Sequence, residues 1–422
     1  MEAFIEMTEM RSDYLYNQCP ACGYTVAKMI FDAGIKPLAT IAWAETQLDA
    51  KAVQSFKQEY IQCLNCAHVW NHLFDWEHVP YGNKPNRMYN NGAQWERHIE
   101  YIKKWLSDRM PADPVVVDIG CGDASFLISM AKWYQSKGEF IGFDPSGDVA
   151  SGQTEITFNQ VLFLPLEDTV KYKPDLIVMR HVIEHLTAPS SFLHSLAWGA
   201  SQYEKPTYLY CEVPCIDRVF ETGRLADFYY EHPSQFTTSS FTRMLNTAGN
   251  VIDIIHAYDG EVICGLVELR PSTEQSKISK CADDFLNSTI VSIPNIRREL
   301  KNLISTGEQL AIWGGTGKCA SFMHHYQISC EDIPLVIDSD ERKWGTFVPG
   351  IGQEIKSPSF LLDHPIDTLI VPTQWRAQDI LIEATSMGLT FKQVLIEHEG
   401  KLIDFAVDKH PYDKTKLNRL AS

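Results

Sequence analysis

Short apolar runs alternate with segments of helical periodicity in the middle of the chain. Residues 115–119, VVVDI, form a β-branched run that is typical of a buried parallel strand. A glycine turn follows, and FLISMAKWY at 126–134 then repeats its apolar positions with helical spacing. GEFIGFDPSG at 138–147 and DLIVMRHVIEHL at 175–186 each begin as a further strand. This alternation predicts an α/β fold with a parallel sheet.

A second alternation of the same kind occupies the C-terminal third of the chain. QLAIWGGTGKCASFMHHY at 309–326 is predicted to form a strand, a glycine turn and a helix, and strands follow at 334–340 and 367–376. The glycine turn does not fit a kinase phosphate loop, because its glycines have the wrong spacing and Cys319 follows Lys318. We expect a Rossmann-like domain that either helps to hold a ligand or is purely structural.

Length and charge narrow the possible classes of function. The chain has 422 residues, which indicates about two to four domains at roughly 150 residues each. Lys and Arg total 37 against 54 Asp and Glu, a net charge of −17. The chain therefore lacks the basic footprint that nucleic acid or an anionic membrane surface requires. We expect neither partner, although a local pocket can still hold one small phosphorylated ligand.

Targeting and cysteine patterns indicate a cytoplasmic protein with reduced thiols. No apolar run approaches the roughly 20 residues of a membrane span. The acidic start, MEAFIEMTEM, lacks the basic and then apolar layout of a secretory signal. Eleven cysteines, an odd number scattered over a long chain, form a poor disulfide framework.

Two C-x-x-C pairs near the start of the chain form a candidate metal site. Two such pairs chelate one ion while the intervening chain loops out, and four thiolates give the closed tetrahedral site of structural Zn(II). A thioredoxin-like redox role fits worse, since one pair would suffice and no βαβ pattern surrounds it. The expected zinc ligands are Cys19, Cys22, Cys63 and Cys66. The residues that could replace a ligand are His68 and His72.

The turn after the first central strand has the pattern D-x-G-x-G-x-A from Asp118 to Ala124. The second strand ends in Asp144, which could hold both hydroxyls of a ribose. A dinucleotide site would use G-x-G-x-x-G to cradle a pyrophosphate. The acidic opening residue and the spacing instead resemble the class I methyltransferase signature, in which this loop packs on the methionine part of S-adenosylmethionine.

The H-V-x-E-H-L string that ends the third strand of this unit also resembles methyltransferases. By that resemblance we expect S-adenosylmethionine as the cofactor. The expected cofactor-binding residues are Asp118, Gly120, Gly122, Phe143, Asp144 and Glu184.

The segments YLYCEVP at 208–214 and FYYEHPSQF at 228–236 are rarer than the cofactor motif. Together with the cysteine pairs they resemble the three-part nucleotide-sugar C-methyltransferases, which methylate a carbon beside the ketone of a deoxy-ketosugar. The resemblance extends from Cys19 to about residue 405. It implies a class I methyltransferase Rossmann-like fold flanked by a small N-terminal zinc domain and a C-terminal Rossmann-like α/β domain. The expected domains are residues 1–80, 81–272 and 273–422.

Carbon methylation requires a base, a group that stabilises an enolate oxygen, and a methyl group held in line. His232 is the expected base, because neutral imidazole accepts a proton near pH 7. The resemblance implies that Glu231 tunes or orients the site and that Tyr229 bonds the substrate oxygen. His181 lies at the end of a strand, where it can face the methyl donor.

The family also supplies a tyrosine from the segment between the zinc and cofactor domains. Tyr89 fits that position best, and Tyr81 is the second candidate. Family members commonly continue E-H with Ser-Tyr-Phe, whereas this chain has Pro233 to Phe236. The departure leaves the particular sugar open.

The expected function is C-methylation of a nucleotide-linked 4-keto-6-deoxy sugar, at C3 through an enolate. The expected partner is a nucleotide-diphosphate keto-sugar, and we expect a monomer. Two alternatives remain: O- or N-methylation of another small molecule, and a non-catalytic binding protein that has kept the cofactor fold.

Overall fold

The computed structural model describes residues 14–40, 44–81, 92–146, 149 and 152–412. The chain divides into two compact units, residues 1–276 and residues 277–422. The three domain boundaries expected from the sequence stay a prediction.

The first unit contains two sheets. Its strands are β1 Tyr14–Tyr16, β2 Val26–Pro37, β3 Ser55–Cys63, β4 Val69–Asn71, β5 Val115–Ile119, β6 Glu139–Phe143, β7 Thr157–Asn159, β8 Leu176–Arg180, β9 Thr207–Pro214, β10 Ser234–Gln235, β11 Gly249–Ala257 and β12 Val262–Leu269. Its helices are α1 Gln47–Lys51, α2 Ala93–Ser107, α3 Ser125–Trp133, α4 Glu167–Tyr172, α5 Pro189–Ala200, α6 Asp217–Thr222 and α7 Thr238–Ala248.

The first sheet is antiparallel, in the order β1-β2-β3-β4-β10. Its long strands β2 and β3 run side by side from the pair Ala27–Cys63 to the pair Pro37–Ser55. Strand β10 comes from much later in the chain and pairs with β4. The segment that follows His232 therefore completes the N-terminal sheet.

The second sheet has seven strands in the order β11-β12-β9-β8-β5-β6-β7. Strands β7, β6, β5, β8 and β9 are parallel, and β12 and β11 continue the sheet in antiparallel pairing. The central strands β5 and β8 are almost wholly buried, as their continuous apolar runs require. Separate apolar clusters cover the two faces of the sheet.

The second unit is an α/β domain with a six-stranded sheet. Its helices are α8 Thr273–Ser305 (which begins in the first unit), α9 Lys318–Tyr326, α10 Phe360–Asp363 and α11 Ala377–Ser386. Its strands are β13 Leu310–Trp313, β14 Leu335–Ile337, β15 Ile355–Lys356, β16 Thr368–Ile370, β17 Gln393–His398 and β18 Lys401–Asp404. The strand order is β15-β14-β13-β16-β17-β18, and only the last pair is antiparallel.

The α/β fold class expected from the sequence is confirmed, with parallel strands at the centre of both larger sheets. The glycines after β13 have a packing explanation. A Cβ on Gly314 would lie 2.2 Å from the Cys319 sulfur, and one on Gly315 would lie 2.3 Å from Ile355 Cδ1. Among the described helices, none combines the length and the apolar character needed to cross a membrane.

Gly138 directly precedes β6 where the chain passes close to Pro114, and it provides a test of this packing. Its φ is +99°, and an added Cβ would lie 2.3 Å from the Pro114 carbonyl oxygen. Gly152 has a similar φ of +92° with no atom within 4 Å. We expect Gly152→Ala to cost about 1 kcal/mol from backbone strain, and Gly138→Ala to cost about 1–3 kcal/mol more from overpacking. Urea unfolding measures both losses, and equal losses would contradict the close approach.

Candidate active site

A cavity of about 440 Å³ opens at the carboxyl ends of β5 and β8. Its walls come from the glycine loop after β5, the end of β8 with the turn Ile183–His185, and the segment that carries Tyr229 and His232. Thr40 from the N-terminal sheet also lines it. Ligands of open α/β sheets bind at this edge of the sheet.

The glycine loop brings backbone close to the cavity. Gly120 has a φ of +70°, and a Cβ there would lie 2.4 Å from Val182 Cγ2. Gly122 also has a positive φ, and its N–H donates to Asp144 Oδ2 at 3.0 Å. A side chain at Gly120 would strain the loop and clash with Val182, which explains why glycine is needed at this position. Gly120 also forms part of the cavity wall.

Asp118 lies at the end of β5 and lines the cavity while only 3% exposed. Burial raises the pKa of Asp118 to about 7; Arg180 opposes this rise, and Asp144 and Asp123 add to it. An acid of this kind suits a ligand with a donor or a positive charge.

Asp144 and Phe143 were also expected to bind the cofactor, and the structure gives each of them partners within the protein. The Asp144 carboxylate accepts bonds from the Gly122 N–H and from the N–H and hydroxyl of Ser146. Phe143 is buried, with its ring 5.0 Å from Phe163. In the described part of the chain neither residue belongs to the cavity wall, and their cofactor roles stay predictions.

A buried carboxylate organises the charges beside the cavity. Glu212 on β9 is fully buried and accepts hydrogen bonds from Arg180, His181, His98 and Tyr210. Burial opposes ionisation, but Arg180, His181 and His98 outweigh it and hold the pKa of Glu212 well below its usual range. We refer to these five residues as the Glu212 network.

Arg180 is fixed by more than this carboxylate. Its guanidinium lies 4.9 Å from the centre of the Trp95 ring and 4.7 Å from that of Phe126. Because Arg180 also lines the cavity, the site holds one permanent cation in a fixed orientation.

His181 follows β8 in the left-handed backbone region, with φ +55°. Its Nε2 is 3.1 Å from Glu212 Oε1, and its Nδ1 is 3.4 Å from Glu184 Oε1. Burial lowers its pKa, but these two carboxylates outweigh burial and raise the pKa of His181 to about 9. Imidazolium is therefore the form present at neutral pH. Strained backbone of this kind persists where the surroundings fix it, often at functional sites.

His232 has the opposite electrostatic environment. Its Nε2 lies 2.9 Å from the Tyr229 hydroxyl, and the ring is edge-on to His185 with centres 4.6 Å apart. Burial, together with His185 and His181, keeps the pKa of His232 well below its usual range. The cavity thus combines a neutral imidazole with a charged one.

His185 is held by a main-chain carbonyl. Its Nδ1 lies 2.6 Å from the Glu231 carbonyl oxygen, which also accepts a bond from the Tyr81 hydroxyl at 3.2 Å. A carbonyl oxygen only accepts, so Nδ1 of His185 carries a proton. His185 also lines the cavity.

Glu231 does not line the cavity among the described residues. Its fully buried carboxylate accepts the backbone N–H groups of Ala39 and Thr40 through Oε1, both at 2.8 Å. Tyr89 lies outside the described residues. Tyr81, by contrast, contacts His185, which together with His232 forms what we call the histidine cluster. The catalytic roles expected for Glu231 and Tyr89 stay predictions.

The sequence interpretation missed four residues at or behind the cavity, and only two of them carried a visible signal. Arg180 directly precedes the H-V-x-E-H-L string and Glu212 is the acidic residue of YLYCEVP, but the sequence assigned no role to either. Thr40 and His98 lie in ordinary-looking segments, and only the fold brings them here.

The four expected metal ligands lie together at the other end of the N-terminal sheet. The sulfurs of Cys19 and Cys66 are 3.7 Å apart, and those of Cys22 and Cys63 are 3.6 Å apart. All four lie within 4.8 Å of one another, an arrangement compatible with zinc. The alternative ligands are placed differently: His72 bonds Glu59 at 3.0 Å, and His68 is not part of the cluster.

Two family models match two separate parts of the chain. Residues 93–253 match the family model described as a methyltransferase domain. Residues 283–398 match the model described as a C-methyltransferase C-terminal domain. No curated protein matches the sequence. The two models show that the chain is a methyltransferase with a C-methyltransferase C-terminal domain.

Solved structures match about two fifths of the chain at low identity. A SAM-dependent methyltransferase from Aquifex aeolicus is 16% identical, covering 41% of this chain and 97% of its own, with a TM-score of 0.31. The [4+2]-cyclase SpnF is 11% identical, covering 45% and 87%, with a TM-score of 0.34. The plantazolicin methyltransferase BpumL, solved with SAH, is 15% identical, covering 42% and 85%, with a TM-score of 0.32. These similarities are too low to indicate a substrate.

The pKa of His181 is raised and that of His232 is lowered, so we predict that the two imidazoles differ in protonation state at neutral pH. Because the pKa of folded His181 is raised from 6.5 to about 9, its stabilisation is fully present below 6.5 and is lost as the pH rises through about 9. Histidine ¹⁵N NMR should show His181 protonated and His232 neutral at pH 7. As the pH rises from 6.5 to about 9, the free energy of unfolding should fall less steeply in His181→Gln than in the wild type. A neutral His181 at pH 7 would contradict the network.

Proposed function

We propose that this enzyme methylates C3 of a nucleotide-linked 4-keto-6-deoxy sugar through an enolate. The observation that carries the proposal is the pairing of a neutral, buried His232 with a charged His181 in one cavity wall. Carbon beside a ketone becomes a nucleophile only after a proton leaves and the resulting oxyanion is stabilised. The cavity offers a group suited to each task. The C-methyltransferase C-terminal model gives independent support for carbon as the acceptor.

His232 serves as the base in this proposal. An imidazole held neutral by burial is available to accept a proton at physiological pH. In the tautomer with the proton on Nε2, that N–H donates to the Tyr229 hydroxyl oxygen, which orients the ring and leaves Nδ1 to accept the proton from carbon. Burial, then Glu184 and Glu231, raises the pKa of Tyr229, so its hydroxyl stays protonated and can donate.

His181 and Tyr229 stabilise the enolate oxygen in this proposal. The His181 imidazolium supplies a positive charge that Glu212 and Glu184 fix in place before substrate binds. Both of its N–H groups face these carboxylates, so His181 acts as a preorganised positive charge, while Tyr229 supplies the hydrogen bond to the oxygen. Tyr81, bonded to His185 and the Glu231 carbonyl, is the described tyrosine that can complete this wall.

The residues of the cavity fit S-adenosylmethionine. Gly120 and Gly122 expose backbone at the cavity, and Asp118 and Glu184 offer carboxylates for positively charged groups of the cofactor. Glu184 is 1% exposed; its Oε1 lies 3.4 Å from His181 Nδ1, and its Oε2 has no hydrogen-bond partner among the described residues. When bound, the cofactor supplies an electrophilic methyl group on a sulfonium. Asp144, at the end of β6, is the proposed ligand of the ribose.

The four-cysteine cluster is proposed to hold structural zinc. A tetrahedral ion with Zn–S bonds of about 2.3 Å places neighbouring sulfurs roughly 3.8 Å apart. The two closest sulfur pairs already lie at 3.7 and 3.6 Å. Four thiolates leave no position for water, so the ion would stabilise the sheet without entering the reaction.

The acceptor is tested with a panel of nucleotide-linked 4-keto-6-deoxy sugars and ¹³C-methyl S-adenosylmethionine. We expect one labelled methyl group on C3 of at least one sugar, located by mass spectrometry and NMR. His232→Asn should lower kcat about 10²–10⁴-fold, the usual contribution of a general base. The matched control, His194→Asn, removes an exposed histidine bonded to Thr247 and should retain activity. A label on oxygen or nitrogen, or full activity of His232→Asn, would contradict the proposal.

The metal is tested by elemental analysis of the purified full chain. We expect about one zinc per chain, retained by Cys281→Ser, whose cysteine is exposed and remote in sequence from the cluster. Cys63→Ser should lose most of the zinc and lower the thermal stability, because metal binding contributes directly to folding. A metal-free preparation with unchanged thermal stability would overturn the zinc assignment.

A further inference from the structure

The end of β2 delivers a threonine to the active-site cavity. The last ladder pair of β2 with β3 is Pro37–Ser55, and the Leu38 N–H still bonds the Gln54 carbonyl at 3.2 Å. Ala39 and Thr40 then leave the sheet and reach the buried Glu231 carboxylate. Thr40 is therefore held at the cavity by a contact that spans 191 positions of the chain.

Glu231 is well suited to hold this segment. Its Oε1 accepts two consecutive backbone N–H groups at 2.8 Å each. The carbonyl of the same residue accepts from Tyr81 and His185, and the next residue is His232. One residue thus ties the N-terminal segment to the histidine cluster.

The Thr40 side chain is left with an unused polar group. Its Oγ1 is buried and has no hydrogen-bond partner among the described residues, although Thr40 lines the cavity. Leaving a buried hydroxyl without a partner is unfavourable, so such a group indicates a ligand that completes it. A hydroxyl both donates and accepts, which fits a sugar hydroxyl better than a purely cationic or apolar group.

We propose that Thr40 hydrogen-bonds the methyl acceptor, at the C2 hydroxyl beside the reacting carbon, and that Glu231 is the residue that positions Thr40. The inference rests on the proposed keto-sugar acceptor. The ketone at C4 is taken by Tyr229 and His181, which leaves the substituent at C2 as the other polar neighbour of C3. Thr40 then selects acceptors that carry this hydroxyl, and Glu231 acts through the backbone of residues 39 and 40.

The specificity is tested with two acceptors that differ only in the C2 hydroxyl. Thr40→Val keeps the shape of the side chain and should raise KM about tenfold for the hydroxylated acceptor but less than twofold for the 2-deoxy acceptor. Thr40→Ser should restore the wild-type preference. Thr222→Val, on an exposed residue whose hydroxyl bonds Arg218, should behave as wild type. Affinity for S-adenosylhomocysteine reports that each variant is folded.

The outcomes separate this inference from the proposed function. Equal KM changes on both acceptors, or no change on either, would overturn the role of Thr40 while the enzyme remains a keto-sugar methyltransferase. Failure of the wild type to methylate any keto-sugar would overturn both.

The positioning role of Glu231 has its own readout, which needs no substrate. Amide hydrogen exchange at Ala39 and Thr40 should be at least tenfold faster in Glu231→Ala than in the wild type. Glu231→Gln, which keeps an acceptor oxygen, should protect these amides more than Glu231→Ala does. Equal exchange in wild type and Glu231→Ala would overturn the positioning role.

Discussion

The active site depends on one buried carboxylate. Glu212 would be costly to bury alone, so its charge requires the four donors that surround it, and these come from α2, β8, the residue after β8, and β9 itself. This requirement brings Arg180 and His181 to the cavity in fixed orientations. It also sets their charges, because His181 stays protonated only while Glu212 and Glu184 face it. The neutral His232 lies nearby and has the Tyr229 hydroxyl, rather than a carboxylate, at its Nε2.

A second constraint joins the N-terminal sheet to this cavity. Glu231 binds the segment after β2 with its side chain, and its carbonyl holds His185 and Tyr81. Strand β10, which follows shortly after Glu231 and His232 in the chain, completes the N-terminal sheet by pairing with β4. The cysteine cluster lies at the end of β2 and β3 where Ala27 pairs with Cys63, whereas Pro37 pairs with Ser55 at the other end. A metal in that cluster would therefore stabilise the strands that carry Thr40 without contacting the reaction.

Local patterns were sufficient to predict the central parallel strands and the glycine loop, but neither the N-terminal antiparallel sheet nor the contacts between elements. The β-branched run at β5 and the glycines after it dictate a buried strand and a tight loop, and both formed where the sequence indicated. Glu231 was expected to tune the base because it precedes His232, yet its side chain points to Ala39 and Thr40. Nothing in the neighbouring residues encodes that choice, since it depends on a strand about 190 residues earlier being brought into reach. Phe143 is a similar case, because an aromatic residue at a strand end can pack on a ligand or in the core with the same local pattern.

Proton removal from carbon before methyl transfer is the central claim. It is measured most directly by incubating the wild-type enzyme with a keto-sugar acceptor and S-adenosylhomocysteine in D₂O, so that no methyl group can be transferred. The account predicts that one deuterium enters at the carbon beside the ketone, visible by NMR, and that His232→Asn does not catalyse this exchange. An enzyme that methylates the same sugar on oxygen or nitrogen, with no deuterium incorporated at carbon, would contradict it.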